Sequence, residues 1–110
     1  MFFIRFQKMN KNRHAARTDR NEKQIVKDLR SLGYTVETGV NDIFVGRKGI
    51  SFWYELKDDR ALDKNGKIKE SEIKPSQKIL RDTWRGHYEI VSSLNQILQD
   101  MKKTFKKFNL

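Results

Sequence analysis

Three charged residues stand where a purely structural β-strand would not put them: Asp42, Glu55 and Lys57. Asp42 heads the β-prone run 42–46, and Glu55 and Lys57 lie two apart in the run 50–57. Side chains alternate along a strand, so Trp53, Glu55 and Lys57 share one face and Phe52, Tyr54 and Leu56 share the other. Burying an acid and a lysine in a central strand costs on the order of several kcal/mol unless they pair or bind a metal. Two carboxylates brought together by a hairpin form a hard oxygen site for Mg²⁺, an ion that keeps waters and takes phosphate oxygens. Such an ion lowers the pKa of a bound water and offsets charge on a phosphorane. A lysine alongside can orient that water or stabilise the oxyanion. The main-chain carbonyl of Leu56 is a further candidate ligand. The chemistry these groups fit is phosphodiester hydrolysis.

The elements that must position these groups follow from pattern. A helix is predicted over about 19–32, with Asp19 as cap and Glu22 completing a capping box. Ile25, Val26, Leu29 and Leu32 form its apolar face, and Gly33 ends it. Residues 34–38 are a short β-prone stretch. The runs 42–46 and 50–57 make an antiparallel pair, because the link Arg47-Lys48-Gly49 has hairpin length and Gly49 is free to take positive φ. Residues 58–75 are polar and turn-rich and read as an exposed, mobile loop. Ser76 is placed to cap a second helix, about 77–84. A strand over 87–92 follows, then a last helix from Leu94 to about Phe105 with Ser93 as cap. The expectation is an α/β domain: a mixed sheet flanked by helices, in αβββαβ order with a C-terminal helix.

The 110 residues amount to one domain. Lys and Arg total 24 against 14 Asp and Glu, for a formal charge of +10. The surplus lies at the ends. Residues 1–23 carry +5 and residues 101–110 carry +4, while 24–100 carry only +1. Basic ends suit a polyanion, since each phosphate contact releases counterions. Arg13, Arg17, Arg20, Arg47, Lys48, Lys102, Lys103, Lys106 and Lys107 are the candidate nucleic-acid contacts. With no cysteine, disulfides and thiolate zinc sites are excluded, and two histidines make a His-rich zinc site improbable. No apolar run approaches the roughly 18 residues that cross a bilayer, and no secretory signal is recognisable. The expected setting is therefore cytoplasmic, with no membrane partner. Residues 1–17 read as a basic N-terminal arm, 18–100 as the domain, and 101–110 as a basic C-terminal end. Met9 is an alternative start.

Asn41-Asp42, a gap, then Glu55-Leu56-Lys57 resembles the PD-(D/E)xK motif of restriction-endonuclease-like nucleases. The runs Arg17-Thr18-Asp19-Arg20-Asn21-Glu22-Lys23-Gln24-Ile25-Val26 and Leu29-Arg30-Ser31-Leu32-Gly33 look like small stand-alone VRR-NUC-type nucleases of phages and prophages. So does Asp82-Thr83-Trp84-Arg85-Gly86 before His87-Tyr88-Glu89-Ile90-Val91. The resemblance covers about residues 17–98. It implies a restriction-endonuclease-like core, Mg²⁺ or Mn²⁺ dependence, and endonuclease cleavage of DNA, duplex or branched. By matched position, Asp42 and Glu55 are implied metal ligands and Lys57 the lysine that acts on the attacking water. Gln77 matches a supporting glutamine, and Glu22 lies where a further acid is often found, with Asn21 and Gln24 as competitors. The family usually has proline before the first acid, and this chain has Asn41. Proline there shapes the backbone and binds no metal.

Plainer roles stand beside these. Asp42, Glu55 and Lys57 could be an edge-strand ion pair and a turn acid. The capping box explains Glu22 without a metal, and Gln77 could be an ordinary first-turn residue. Asp58 and Asp59 read as solvated loop acids, His87 as structural, and Trp84 as core. Trp53 could stack on a base or fill a gap. A catalytically inactive DNA- or RNA-binding protein on the same fold is the alternative function. Symmetric cutting of two strands needs two active sites, so a homodimer is a further expectation.

Overall fold

The computed structural model describes residues 13–110, with side chains from Arg20 onward. Residues 1–12, most of the expected basic arm, lie outside the described residues, as do the side chains of Arg13 and Arg17. The described residues form a compact α/β fold of three α-helices around a four-stranded mixed sheet.

Helix α1 (Arg13–Ser31) begins six residues before the expected start at Asp19. Glu22 is therefore mid-helix, and Asp19 is not the start of the helix. Ile25, Val26 and Leu29 point into the core as their spacing requires, but Leu32 is exposed because the helix has already ended at Ser31. Gly33, at φ +95°, closes it with its N–H on the Arg30 carbonyl.

Strands β1 (Thr35–Thr38), β2 (Asp42–Arg47) and β3 (Ile50–Leu56) form an antiparallel meander. The β2–β3 hairpin turns on Lys48 (φ 55°) and Gly49 (φ 80°). Two central residues at positive φ match the right-handed twist of the strands. Strand β4 (Tyr88–Val91) lies parallel to β3, which makes the sheet mixed, in the order β1-β2-β3-β4.

Residues 58–74 differ from the expected mobile loop. They hold two short 3₁₀ turns, Asp59–Ala61 and Glu70–Glu72, and a Leu62–Ile68 bridge. Ala61 and Ile73 are buried, so apolar contacts fix a segment that is polar overall. Helix α2 (Pro75–Thr83) starts one residue before Ser76: Lys74 is its cap, and Pro75 takes the first position, where a missing N–H costs nothing. Helix α3 (Leu94–Lys107) is capped by Ser93, whose hydroxyl accepts from the Gln96 N–H at 3.1 Å. It carries four lysines of the basic C-terminal end as helix rather than as a tail, and Met101 is buried.

The two sheet faces have different roles. Ile43, Val45, Phe52, Tyr54, Leu56 and Val91 pack with Ile25, Val26 and Leu29 of α1 and with Ile97 and Met101 of α3. The opposite face carries Asp42, Phe44, Trp53, Glu55, Tyr88 and Ile90. Helix α2 packs against β4, and Trp84 at its C-terminal end meets Trp53 edge-on.

Candidate functional site

The β2–β3 register places Asp42 directly opposite Glu55. Directly opposed antiparallel residues have Cβ atoms about 5 Å apart, so their carboxylates are close neighbours on one face. Backbone bonds fix the pair. The Leu56 N–H donates to the Asn41 carbonyl (2.8 Å), tying the residue before one acid to the residue after the other. The Gly39 N–H donates to the Asp42 carbonyl (2.8 Å), and a Cβ on Gly39 would collide with Asp42 Oδ1. Gly39 thus leaves the room the first acid occupies. Asn41 has φ 61°, in the left-handed region that asparagine tolerates and proline cannot reach. The backbone before Asp42 is therefore shaped differently from one carrying the proline of the resembled motif.

The electrostatics are those of acids held together under partial burial. Burial raises Asp42, opposed by the Trp53 indole N–H, which donates to Oδ2 at 3.0 Å. Burial pushes Glu55 up to about 7; Lys57 pulls it back, and Asp42 raises it further. Lys74 and Glu22 also act on Glu55, in opposite senses, which puts both within its electrostatic reach. Burial lowers Lys57, Glu55 opposes that, and Lys74 reinforces it. Asp42, Glu55, Lys57 and Glu22 therefore converge at the end of the sheet where β3 finishes and α1 crosses.

Glu22 is buried at 6% exposure. Its competitors do other work. Asn21 Nδ2 donates to the Ser92 carbonyl (3.2 Å) and lies 3.5 Å from the Lys57 carbonyl, so it pins α1 across the ends of β3 and β4. Gln24 is exposed and donates to Asp28. Gln77 Oε1 accepts from the Lys74 backbone N–H (3.0 Å), which caps α2 and holds Lys74, one of the charges acting on Glu55. Asp58 is not the solvated acid expected: it is buried, caps the first 3₁₀ turn and pairs with Arg60 at 3.0 Å. Asp59 is exposed.

The donor set suits a hard divalent ion: the opposed carboxylates of Asp42 and Glu55, with no sulfur or imidazole between them. Mutual repulsion between the acids is what a cation would relieve. Tyr88 lies on the same face, 7% exposed, with burial and then Glu55 and Asp42 pushing its phenol up to about 12. Its hydroxyl has no hydrogen-bond partner among the described residues. Composition gave no sign of this orphaned donor, because the tyrosine reads simply as a strand residue.

A second cluster was likewise not visible in sequence. His87, Glu89 and Asp100 bring ligand atoms within 4.8 Å of one another. The Asp100 carboxylate accepts from the Tyr54 hydroxyl (2.6 Å) and pairs with His87 Nε2, so these groups satisfy one another where α3 meets β4. The pairing raises His87.

Lys48, Lys102 and Lys106, three of the expected nucleic-acid contacts, line one cleft together with Tyr34 and Phe105. Arg47 lies over the Tyr34 ring at 4.6 Å and Lys48 over Phe105 at 4.9 Å, near the hairpin turn. Lys107 approaches Phe108 at 5.8 Å, and Lys102, Lys103 and Lys106 line the exposed side of α3. Arg20 is exposed on α1. Among the described residues, no helix is long and apolar enough to cross a membrane. No protein-family model matches the chain, and no curated protein or solved structure matches it significantly.

Proposed function

We propose that the chain is a metal-dependent DNA endonuclease on a restriction-endonuclease-like core, of the small VRR-NUC type that its motif resembles. The observation that carries this reading is the cross-strand pairing of Asp42 with Glu55, with Lys57 in the field of Glu55. Asp42, Glu55 and the Leu56 carbonyl would hold Mg²⁺ or Mn²⁺, which when bound supplies an acidified water and charge neutralisation at phosphate. Lys57, with its ammonium partly desolvated, orients the attacking water and offsets charge on the scissile phosphate. Glu22 adds negative charge to the cation site. Trp53 fixes the Asp42 carboxylate through its indole N–H, and Gln77 holds the start of α2 beside it. The basic groups along α1, the hairpin turn and α3 would engage the phosphate backbone.

The test is incubation with linear, nicked and four-way-junction DNA, with Mg²⁺, Mn²⁺ or EDTA. Cleavage that needs the divalent ion, and that Asp42→Ala, Glu55→Ala and Lys57→Ala each abolish, supports the reading. Intact DNA in every lane from well-folded protein overturns it.

The second reading, a nuclease-fold protein that binds DNA or RNA without cutting it, rests on Asn41 and its left-handed backbone. It requires that Asp42→Ala and Glu55→Ala leave both nucleic-acid affinity and metal response unchanged.

A further inference from the structure

The face that carries Asp42 and Glu55 also carries a run of aromatic rings left partly uncovered. Phe44 and Trp53 are stacked, with centroids 5.3 Å apart and planes 24° from parallel. Trp84 meets Trp53 edge-on at 5.1 Å, and Tyr88 does so at 5.0 Å. Phe44 is 38% exposed and Trp84 50% exposed. Two large rings thus face solvent on either side of a half-buried indole, and that indole bonds the first acid of the site. Phe44 lies two residues along β2 from Asp42, about 7 Å at the rise of an extended strand. That matches the reach from a phosphate to the base of its own nucleotide.

We propose that Phe44 and Trp84 each stack an unpaired base of a DNA strand whose phosphate lies at Asp42 and Glu55, so that the substrate is single-stranded or locally unpaired DNA rather than intact duplex. This deepens the nuclease reading and rests on it for the placement of the phosphate. The surroundings suit a nucleotide better than an apolar protein surface. Exposed Arg85 follows Trp84, and Lys74 and Lys57 lie near Glu55. A base inside a duplex offers only its edge, whereas an unpaired one offers its π-face, which an aromatic ring binds whatever the sequence.

The experiment measures fluorescence anisotropy of a labelled 20-nucleotide oligothymidine and of a blunt 20-base-pair duplex, with Ca²⁺ in place of Mg²⁺ at fixed salt. Phe44→Ala and Trp84→Ala are each expected to weaken oligothymidine binding roughly tenfold and to leave duplex binding within about twofold. Phe44→Tyr and Trp84→Phe, which keep a ring, restore it, so the loss is not one of folding. Equal losses on both probes, or no loss on either, overturn the proposal. Tighter binding of oligouridine than of oligothymidine overturns the DNA assignment. A dimer in sedimentation that Trp84→Ala dissociates assigns the rings to self-association instead, which also overturns it. Because binding and cleavage are read separately, the outcome is separable from the nuclease reading. If that reading alone fails, strand selectivity persists with no cleavage. If stacking alone fails, Mg²⁺-dependent cleavage persists in both alanine variants.

Discussion

Replacing Glu55 by glutamine should make the metal-free protein more stable and the metal-bound protein less so. Glu55 is raised from 4.5 to about 7, chiefly by burial. At about 1.36 kcal/mol per pH unit this corresponds to roughly 3 kcal/mol, and partial exposure trims it to about 2 kcal/mol. The sign follows from proton counts. Below pH 4.5 the carboxyl is protonated in both folded and unfolded chains and costs nothing. Between 4.5 and about 7 the unfolded chain gives up its proton first, so stability falls as pH rises. Above about 7 the full penalty is present.

Glu55→Gln removes that penalty while keeping the side chain's size. Urea unfolding in EDTA at pH 4.5, 6, 7 and 8.5 should show variant and parent alike at the lowest pH. The variant should gain about 2 kcal/mol by pH 8.5. Adding Mn²⁺ at about 100 times its dissociation constant should stabilise the parent by about 2.7 kcal/mol and the variant far less. A variant that is less stable than the parent at pH 8.5, or a difference that does not change with pH, would refute the reasoning that the acid pair is held under electrostatic strain. An equal Mn²⁺ response in both proteins would refute the assignment of Glu55 as ligand.

Three other perturbations test the surroundings of the pair. Asn41→Pro should destabilise the fold by about 3 kcal/mol or more, because proline cannot adopt φ 61°, while Asn41→Gly should fold normally; thermal unfolding of both variants decides this. Gly39→Ala should displace the Asp42 carboxylate and weaken Mn²⁺ binding by roughly tenfold, measured by calorimetry, with only a modest loss of stability. His87→Gln should lower stability most below pH 6.5, where His87 is charged in both states and its ion pair with Asp100 is fully present; the deficit should shrink as pH rises through the raised pKa of the folded protein, and a deficit that grows with pH would contradict the pairing.

The hairpin is legible in sequence because two independent signals agree there: alternation in 50–56, and Gly49, free to take positive φ, in a link of hairpin length. The register differs from the expected one: in sequence the link reads as Arg47-Lys48-Gly49, whereas Arg47 belongs to β2 opposite Ile50, and the two-residue turn Lys48-Gly49 is what sets Asp42 opposite Glu55. The start of α1 was misplaced because Asp19 and Glu22 imitate a capping box, a local signal overridden by helix continuing back to Arg13. The ordered loop was missed because its order rests on two isolated buried residues, Ala61 and Ile73, and isolated apolar residues carry no periodicity. Trp84 was assigned to the core by size, yet it stands half exposed beyond the end of α2. The His87–Glu89–Asp100 group joins residues from β4, its approach and α3, and no spacing rule connects them.

The position of the acid pair is decided at the far end of the hairpin. Lys48 and Gly49 hold the turn to two residues, and with that length the register runs Arg47 opposite Ile50 through to Asp42 opposite Glu55. A slip of one residue would turn every β3 side chain to the other face, sending Phe52, Tyr54 and Leu56 out of the core and Glu55 into it. The core therefore opposes a slip on behalf of the site, since those three side chains are essentially inaccessible to solvent. Each fully buried large apolar side chain contributes roughly 1.5–3 kcal/mol. Together they outweigh the penalty of about 2 kcal/mol carried by Glu55. The same strand thus supplies, on one face, the apolar burial that holds two acids opposite each other on the other.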